Sequence, residues 1–405
     1  MDIDKLIQGS RDEVIRLRRD FHQHPELGLA EHRTSGRVAD YLEALGMDVA
    51  RVHGTGVVGL LKGAGPGPTL MLRADLDALP IQEETKVDYR SVNEGVMHAC
   101  GHDAHTAILL VAAKILSTLR EGLAGQVKFV FQPNEENVGA LAMIKEGVLE
   151  APRVEACLGL HVWTPLSTGK IGISSGPVMA GMEHFQLTIK GKGGHTATPQ
   201  SAVDPILAAA GIIQGVQMIQ TRELDALNEP TVIMFGQVQG GTASNIIPDQ
   251  VSLAGTMRYL FEGQEESQES PKNRFQRAVA DICRTHRAGF ELEFNFGHPT
   301  LVNDPGLAGL VRSVAAQELT SKPEVAPLVS LAGEDFSEFT ARVPGAFYFL
   351  GAGNEAKGAG FPHHHPCFNI DEEALILGVE MQVRTCLAYF RQAARTGPEE
   401  EGPKI

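Results

Sequence analysis

Short apolar strands alternate with helical segments over residues 4–162, and this alternation constrains the fold more than any other feature of the sequence. Hydrophobic periodicity predicts three helices, at residues 4–22, 34–45 and 104–116. Apolar runs predict four strands, at residues 56–62, 69–75, 127–133 and 154–162. Apolar strands that alternate with helices are typical of a parallel sheet that is buried on both faces. The sequence therefore predicts an α/β domain with a mostly parallel sheet.

The pattern changes near residue 183, where strands with alternating faces begin. The elements predicted here are strands at residues 184–190, 231–239, 250–258 and 290–296 and helices at residues 204–220 and 274–286. This βαββαβ order, about 110 residues long, is the ferredoxin-like pattern of an inserted α+β domain. We therefore expect a main domain of residues 1–182 and 298–405 and an inserted domain of residues 183–297.

Ionisable side chains follow three of the predicted strands of the main domain. Asp75 and Asp77 come at the end of one strand, and His161 ends another. Glu135 and Glu136 follow a third. In open α/β sheets, ligands bind in the crevice outside the carboxyl ends of the strands. We therefore expect these side chains to share one site.

The segment MHACGHDAHT, at residues 97–106, places five metal-binding or ionisable side chains within eight residues. Cys100 and His102 stand just before the helix predicted at residues 104–116. The helix dipole and the unpaired amides at a helix N-terminus stabilise a thiolate, which predicts a lowered pKa for Cys100. A thiolate beside an imidazole suits zinc or another late divalent ion. Asp103 supports this site or caps the helix. The alternative is a buried cysteine beside ordinary histidines.

The composition of the chain argues against several classes of partner. The net charge of −15 argues against nucleic acid or an anionic membrane as the main partner. The five cysteines are scattered and odd in number, so no disulfide framework is indicated. No apolar run approaches the ~20 residues that a membrane-spanning helix needs. Since MDIDKLIQ lacks the basic and apolar regions of a signal peptide, we expect a cytoplasmic protein.

Nine motifs, in order along the chain, carry a resemblance to a known family. They are FHQHPEL (21–27), RADLDALP (73–80), HACGHDAH (98–105), FQPNEE (131–136), GLHVW (159–163), GKGGH (191–195), NIIPD (245–249), LAGEDFS (331–337) and HHPCFN (364–369). Over roughly residues 10–395 the chain resembles the metal-dependent N-acyl-amino-acid amidohydrolases. This family includes hippurate hydrolases, bacterial aminoacylases and plant auxin-conjugate hydrolases.

The resemblance implies a site for two divalent metal ions, which are Zn, Mn, Ni or Co. The residues that match the family's ligands are Cys100, His102, Glu136, His161 and His364. Asp77 matches a carboxylate that orients the ligands. The implied reaction is hydrolysis of the amide bond of an N-acyl amino acid by a metal-bridged water, which releases a carboxylic acid and the free amino acid. In this scheme Glu136 coordinates, while Glu135, the general base, takes the water proton and returns it to the leaving amine.

The inserted domain matches the part of the family that covers the substrate and mediates dimerisation. His195 matches a histidine that assists at the scissile carbonyl, in its own protomer or in a neighbour. Asn245 and Arg258 are candidates for binding the substrate carboxylate, Arg258 through a bidentate pair. The alternatives are a glycine-rich turn capped by His195, and surface or interdomain hydrogen bonds for the other two. We expect a small-molecule substrate and a homodimer or higher homo-oligomer.

Two segments depart from the family pattern. Asn134 and Asn137 flank the glutamate pair, where relatives have small residues and a glycine run, and we expect them to reshape the mouth of the pocket. The segment FPHHHPC (361–367) has three consecutive histidines where the family needs one. The spacing to the proline selects His364 as the ligand, with His363 or His365 as the alternative.

Three other functions remain open from the sequence. A dipeptidase or carboxypeptidase would use the same scaffold. A cysteine-nucleophile amidase would use Cys100 with His102 or His161 as its base. A metal- or ligand-binding module would have no activity, but the presence of Glu135 together with the full ligand set argues against it, because a retired site has no need of a general base.

Overall fold

The computed structural model describes residues 2–262 and 269–395. The chain divides into two compact units, each described here by itself. The large unit consists of Met1–Gly176, Val302–Val329 and Glu338–Ile405, and the small unit consists of Pro177–Leu301 and Ser330–Ser337. Among the described residues, no helix combines the length and the apolar character needed to cross a membrane.

The helices are α1 (Ile3–Gln8), α2 (Arg11–Gln23), α3 (His32–Ala44), α4 (His102–Thr118), α5 (Ala140–Lys145), α6 (Pro205–Gly215), α7 (Pro271–Thr285), α8 (Pro305–Gln317), α9 (Ser337–Thr340) and α10 (Glu373–Arg395). The strands are β1 (Asp48–Val52), β2 (Gly56–Lys62), β3 (Gly65–Asp75), β4 (Ala124–Gln132), β5 (Ala156–Ser167), β6 (Lys170–Gly172), β7 (Gly176–Met179), β8 (Gly181–Lys190), β9 (Gly194–His195), β10 (Thr231–Gly240), β11 (Ile246–Ile247), β12 (Gln250–Tyr259), β13 (Gly289–His298), β14 (Leu301–Asn303), β15 (Glu324–Ala326) and β16 (Gly345–Gly353).

The large unit is built on an eight-stranded sheet in the order β1-β2-β4-β3-β5-β16-β6-β15. The central neighbours β4, β3, β5 and β16 run parallel to one another. Antiparallel pairs join β2 to β1 and β4, and β6 to β16. Every residue of β3 from Thr69 to Asp75 is buried, as expected for a central parallel strand. The prediction of an α/β fold with a mostly parallel sheet is confirmed.

Parallel pairing brings the carboxyl ends of β3 and β4 to the level of His161 in β5. Asp75, the last residue of β3, pairs with Gln132, the last residue of β4. On the other side of β3, Arg73 pairs with Gly159, so His161 lies level with Asp75. The prediction that His161 ends its strand is wrong, because β5 continues past it in its pairing with β16. His161 nevertheless lies at the same edge of β3 and β4 as the acidic residues.

Gly101 allows α4 to begin close to the sheet. It precedes His102, the first residue of the helix, and has a left-handed φ of +95°. A Cβ at this position would lie 2.3 Å from Cγ2 of Val162 in β5. Only glycine accommodates both the positive φ and this close approach. Gly101 therefore lets its two neighbours, Cys100 and His102, lie close to β5.

The first predicted helix, at residues 4–22, is two helices. α1 ends at Gln8 and α2 begins at Arg11. The hydroxyl of Ser10 donates to Leu6 O (2.8 Å), and its backbone N–H donates to Ile7 O (2.9 Å), which closes α1. The hydrophobic periodicity continues across this short break, so the pattern alone predicts one helix.

The small unit contains a four-stranded antiparallel sheet in the order β10-β12-β8-β13. The chain order β8, α6, β10, β12, α7, β13 is the predicted βαββαβ order of a ferredoxin-like fold. Alternate residues of β8, namely Phe185, Leu187 and Ile189, are buried in the same core as Ala208 of α6 and Phe275 of α7. Both helices therefore cover one face of the sheet, and the polar residues between these positions lie on the other face.

Candidate metal centre

Six ligand-type side chains of the large unit converge beside the carboxyl ends of β3 and β4 and the middle of β5. Their ligand atoms form three overlapping groups, within each of which all atoms lie within 4.8 Å of one another. The groups are Cys100–His102–His161, Cys100–Glu136–His364 and His102–Glu135–Glu136. Because the groups share members, the donors form one continuous cluster large enough for two neighbouring ions rather than separate single sites.

Backbone carbonyls orient the imidazoles of His102 and His161. His102 Nδ1 donates to Asp77 O (2.8 Å), and His161 Nδ1 donates to Val162 O (2.6 Å). The Nε2 atom of each ring then carries the free lone pair, and His161 Nε2 lies 3.4 Å from Cys100 Sγ. His102 Nε2 is buried and has no hydrogen-bond partner among the described residues. A buried ring nitrogen left in this way fits a metal ligand.

Asp77 connects two of the converging segments. One of its carboxylate oxygens lies 3.2 Å from His102 Nδ1, and the other accepts the backbone N–H of Glu136 at 3.1 Å. The residue is 1% exposed. The start of α4 and the turn after β4 are therefore fixed to the same buried carboxylate.

Asp75 and His105 lie beside the cluster, but their polar atoms are already engaged. His105 Nδ1 donates to Asp75 Oδ1 (2.6 Å), and its Nε2 accepts the backbone N–H of Val162 (2.9 Å). The other Asp75 oxygen accepts from Arg73 Nη1 at 2.8 Å. Burial opposes ionisation of Asp75, but the neighbouring histidines and Arg73 outweigh it and hold its pKa well below the usual value. These two residues support the cluster rather than complete it.

Negative charge dominates the cluster and shifts the pKa values of its members. Burial opposes protonation of His102, but Asp75 and Cys100 outweigh it and hold the pKa of His102 well above the usual value. Contacts with Cys100 and Glu136 raise the pKa of His364 to about 10. His102 and His364 thus gather protons where the site lacks positive charge, whereas burial and the neighbouring His105 hold the pKa of His161 well below its usual value. Metal ions supply that charge, so the donor set fits divalent cations.

The pKa of Cys100 shifts in the opposite direction from the one its position predicts. Burial and the Glu136 carboxylate raise the pKa of its thiol. These effects outweigh the helix dipole and the neighbouring His102, so the prediction of a lowered pKa is wrong. Deprotonation of Cys100 therefore needs a stronger source of positive charge than the helix N-terminus.

The three consecutive histidines have different surroundings. His363 Nε2 donates to Val162 O (2.9 Å), and its ring stacks on Trp163 with centroids 4.6 Å apart. His365 Nδ1 accepts the backbone N–H of Cys367 (3.0 Å), and its ring stacks on Phe361. Among the three, His364 is the one whose ring reaches the ligand groups.

The glutamate pair lies in a strained turn. Asn134 (φ +58°) and Val138 (φ +60°) flank the single 3-10 turn Glu135–Asn137 in left-handed conformations. For residues other than glycine this conformation costs roughly 1–2 kcal/mol each. The side chain of Asn134 accepts from Asn137 Nδ2 (3.3 Å) and lies against Gly28. The side chain of Asn134 thus stabilises the turn itself.

A buried ion network behind α4 was not predicted. Arg18 Nε and Asp103 Oδ2 form an ion pair at 2.8 Å with both side chains fully buried. His22 Nδ1 lies 2.8 Å from the same Asp103 oxygen, and its Nε2 lies 3.2 Å from Glu83 Oε1. Burial and Arg18 oppose protonation of His22, but Asp103 and Glu83 outweigh them and raise its pKa. The available signal was the spacing of Arg18 and His22, which puts two basic residues on one face of a helix.

His195 and Asn245 lie side by side in the small unit. His195 is in β9, which pairs with β11, and its Nδ1 accepts the backbone N–H of Ala197 (3.0 Å). Asn245 directly precedes β11, and its carbonyl accepts the backbone N–H of Thr196 (3.3 Å). Both residues line an open cleft of about 420 Å³.

Arg258 lies in β12 of the same unit, apart from that cleft. Its Nη1 donates to Leu331 O (3.1 Å), and the described residues offer it no carboxylate at ion-pairing distance. Met182 of β8 pairs with Arg258 on one side and with His298 on the other. Burial lowers the pKa of His298 to about 4, and Arg258 adds to this effect. The guanidinium is thus half-buried, with no counter-charge from the part of the chain that the structure describes.

A model described as peptidase family M20/M25/M40 matches residues 71–388 of the chain. The chain is 37% identical over 378 residues to thermostable carboxypeptidase 1 of Saccharolobus solfataricus, and the match covers 92% of this chain and 94% of that protein. It is 37% identical over 366 residues to the N-acetyl-L-cysteine deacetylase of Bacillus subtilis, with coverage of 90% and 85%. A crystal structure from Bacillus subtilis, described as a dinuclear metal-binding peptidase of the M20 family, matches with a TM-score of 0.81 and 33% identity and covers 95% of this chain and 99% of that one.

We expect His298 to make the small unit less stable in acid. Its pKa is about 4 in the fold and about 6.5 in the unfolded chain, so the unfolded chain takes up the proton first as the pH falls. Stability is complete above pH ~6.5 and is lost towards pH ~4, by up to about 3 kcal/mol from this residue. Urea unfolding of His298→Gln at pH 7 and pH 4.5 should show a smaller difference than the wild type. His286→Gln, at the end of α7, is the control and should keep the wild-type difference. Equal pH dependence of wild type and His298→Gln would contradict this assignment.

Proposed function

The chain belongs to peptidase family M20/M25/M40 and is a metal-dependent amidohydrolase, and we propose that it hydrolyses the amide bond of N-acyl amino acids to a carboxylic acid and a free amino acid. The enzyme binds two divalent metal ions. One observation carries the proposal: the adjacent residues Glu135 and Glu136 belong to ligand groups that share Cys100 or His102 with the other groups of the cluster. Such a cluster combines cation ligands with a base, which is what hydrolysis of an unactivated amide needs.

We assign the metal ions to one set of donors, which consists of Cys100, His102, Glu136, His161 and His364. The support is the mutual proximity of these donors and the orientation of two imidazoles. The Nδ1 atoms of His102 and His161 each donate to a backbone carbonyl, which leaves Nε2 for a metal ion. When bound, Zn, Mn, Ni or Co would lower the pKa of a water molecule and stabilise the tetrahedral oxyanion. Burial raises the pKa of Cys100, so without a cation the residue stays a thiol and is a poor nucleophile, whereas a bound divalent cation would deprotonate it and make it a ligand.

Glu135 and Glu136 have different tasks in this scheme. Glu136 is fixed through its backbone N–H to Asp77, and its carboxylate lies 3.3 Å from His364 Nε2. Glu135 Oε2 lies 3.8 Å from His102 Nε2, and its side chain is 11% exposed. We assign coordination to Glu136 and proton transfer to Glu135, which takes a proton from the attacking water and returns it to the leaving amine.

We also propose a role for the inserted domain of residues 183–297, as a lid and as the dimerisation domain of a cytoplasmic homodimer or higher homo-oligomer. Since Nδ1 of His195 accepts a backbone N–H, the neutral ring carries its proton on Nε2. An exposed Nε2–H is a suitable donor to a developing oxyanion, in the same protomer or in a neighbour. No described residue of its own unit gives Arg258 a counter-charge, which suits a substrate α-carboxylate, and Asn245 lines the cleft beside His195.

Substrate assays after metal reconstitution test the proposed function. We expect hydrolysis of acetyl, benzoyl, long-chain acyl or indole-acyl amino acids by enzyme loaded with Mn, Zn, Co or Ni. Chelation should abolish turnover and added metal should restore it, because the cluster depends on cations for its charge balance. Dipeptides serve as the comparison. Faster cleavage of dipeptides than of every N-acyl amino acid would favour a dipeptidase or carboxypeptidase, as the name of the Saccharolobus relative suggests.

Glu135→Gln should lower kcat by about 10²–10⁴-fold, the usual effect of removing a general base. Its metal content, measured by atomic emission, should stay close to that of the wild type. Glu136→Gln is the matched variant, and it should lose metal because it removes a ligand. The two roles would be reversed if Glu136→Gln kept its metals while Glu135→Gln lost them.

His195→Ala should lower kcat by about 10²-fold or more, in the range found when an oxyanion donor is removed. Its thermal unfolding and metal content should not change, because the side chain is exposed and lies outside the cluster. Thr198→Ala alters the same exposed loop and should keep the wild-type kcat. A near-normal kcat for His195→Ala would remove this residue from the mechanism.

A further inference from the structure

The turn that carries Glu135 and Glu136 is fastened at both ends by buried carboxylates. Asp77 accepts the backbone N–H of Glu136, as described above. At the other end, Glu31 accepts the backbone N–H of Asn134 at 3.0 Å. Asn134 is the left-handed residue that begins the turn, so its orientation determines the direction in which the next two side chains leave the backbone.

The buried surroundings of Glu31 hold its carboxylate in contact with the backbone N–H of Asn134. The residue is 0% exposed, and its second oxygen accepts the hydroxyl of Thr55 at 2.6 Å. Among the described residues, no basic side chain lies at ion-pairing distance, so these two hydrogen bonds, with one from the residue's own backbone N–H, compensate this buried carboxyl group. Burial raises the pKa of Glu31, which agrees with the lack of a cation nearby.

Gly28 allows the segment before Glu31 to lie against the turn. A Cβ at Gly28 would lie 2.0 Å from Oδ1 and 3.1 Å from Cα of Asn134. The carbonyl of Asn134 also accepts the backbone N–H groups of Asn137 (3.2 Å) and Gly139 (2.9 Å). Asn134 is therefore held through its N–H, its carbonyl and its side chain, although its φ is unfavourable.

We propose that Glu31 is a positioning residue, which holds Asn134 in its left-handed conformation and thereby directs Glu135 and Glu136 into the ligand cluster. The consequence for catalysis rests on the proposed function of that glutamate pair. Glu31 itself belongs to none of the ligand groups. Its contribution is to remove other orientations of the turn before the reaction begins, which is a form of preorganisation.

The test replaces the acceptor without changing the size of the side chain. Glu31→Met has no acceptor, whereas Glu31→Gln keeps one oxygen for Asn134 N–H and can donate to the Thr55 hydroxyl. At saturating metal, Glu31→Met should lower kcat by about 10- to 100-fold with little change in KM, since a small misplacement of a catalytic group costs about that much. Glu31→Gln should restore kcat to within a few-fold of the wild type.

Thr55→Val provides the matched control, because it removes the other hydrogen bond of the same carboxylate. This variant should lose stability but keep the wild-type kcat. If Glu31→Met does not fold, the pair Asn134→Ala and Asn134→Gly tests the same point from the other partner. Alanine disfavours the left-handed conformation and should lower kcat, and glycine adopts it freely and should lower kcat less.

Hydrogen exchange of the peptide spanning residues 131–139 gives a readout that does not depend on activity. Glu31→Met should expose this turn to exchange, and Glu31→Gln should protect it. Unchanged protection in Glu31→Met, or lost protection with a wild-type kcat, would overturn the proposal. If the wild type fails to hydrolyse N-acyl amino acids while protection is lost in Glu31→Met, the proposed function is wrong but Glu31 still positions the turn.

Discussion

The parallel pairing of β3 with β4 and β5 is the constraint on which the candidate site depends. It places Asp75, Gln132 and His161 at one level of the sheet. Donors that are far apart in the chain can then meet because each lies close to the end of its strand. Asp77 follows the end of β3 by two residues, and the two glutamates lie in the single turn that follows β4. A slip of one residue in either pairing would turn these side chains to the opposite face of the sheet. The ladder of backbone hydrogen bonds, rather than any contact within the site, therefore sets the relative heights of the donors.

Charge balance is the second constraint on the site. Cys100, Glu135, Glu136, Asp75 and Asp77 bring several acidic groups together, and Arg73 is the basic partner of Asp75. The imidazoles of His102 and His364 respond with raised pKa values. Clustered negative charge in a partly buried setting is costly unless cations neutralise it. The acidic cluster at this edge of the sheet thus lowers the stability of the metal-free protein but favours the binding of cations.

Local patterns in the sequence were enough to predict the alternation of elements and the gathering of ligand-type residues at one edge. They were insufficient where the outcome depends on distant partners. His161 was expected to end its strand, because the sequence does not reveal that β16 continues to pair with β5. The lowered pKa expected for Cys100 followed from a helix N-terminus alone, whereas burial and Glu136 decide the direction. The network of Arg18 and Asp103 joins residues 85 positions apart, so no window along the chain contains both.

Cys100 belongs to two of the ligand groups, and this determines how sensitive the enzyme is to oxidation. Two separate ligand sets would allow damage to one ion's site to leave the other occupied. Because one sulfur belongs to two groups of donors, oxidation of this thiol to a sulfinic acid would alter both groups at once. Inactivation by oxidants would then follow the oxidation state of this single sulfur atom.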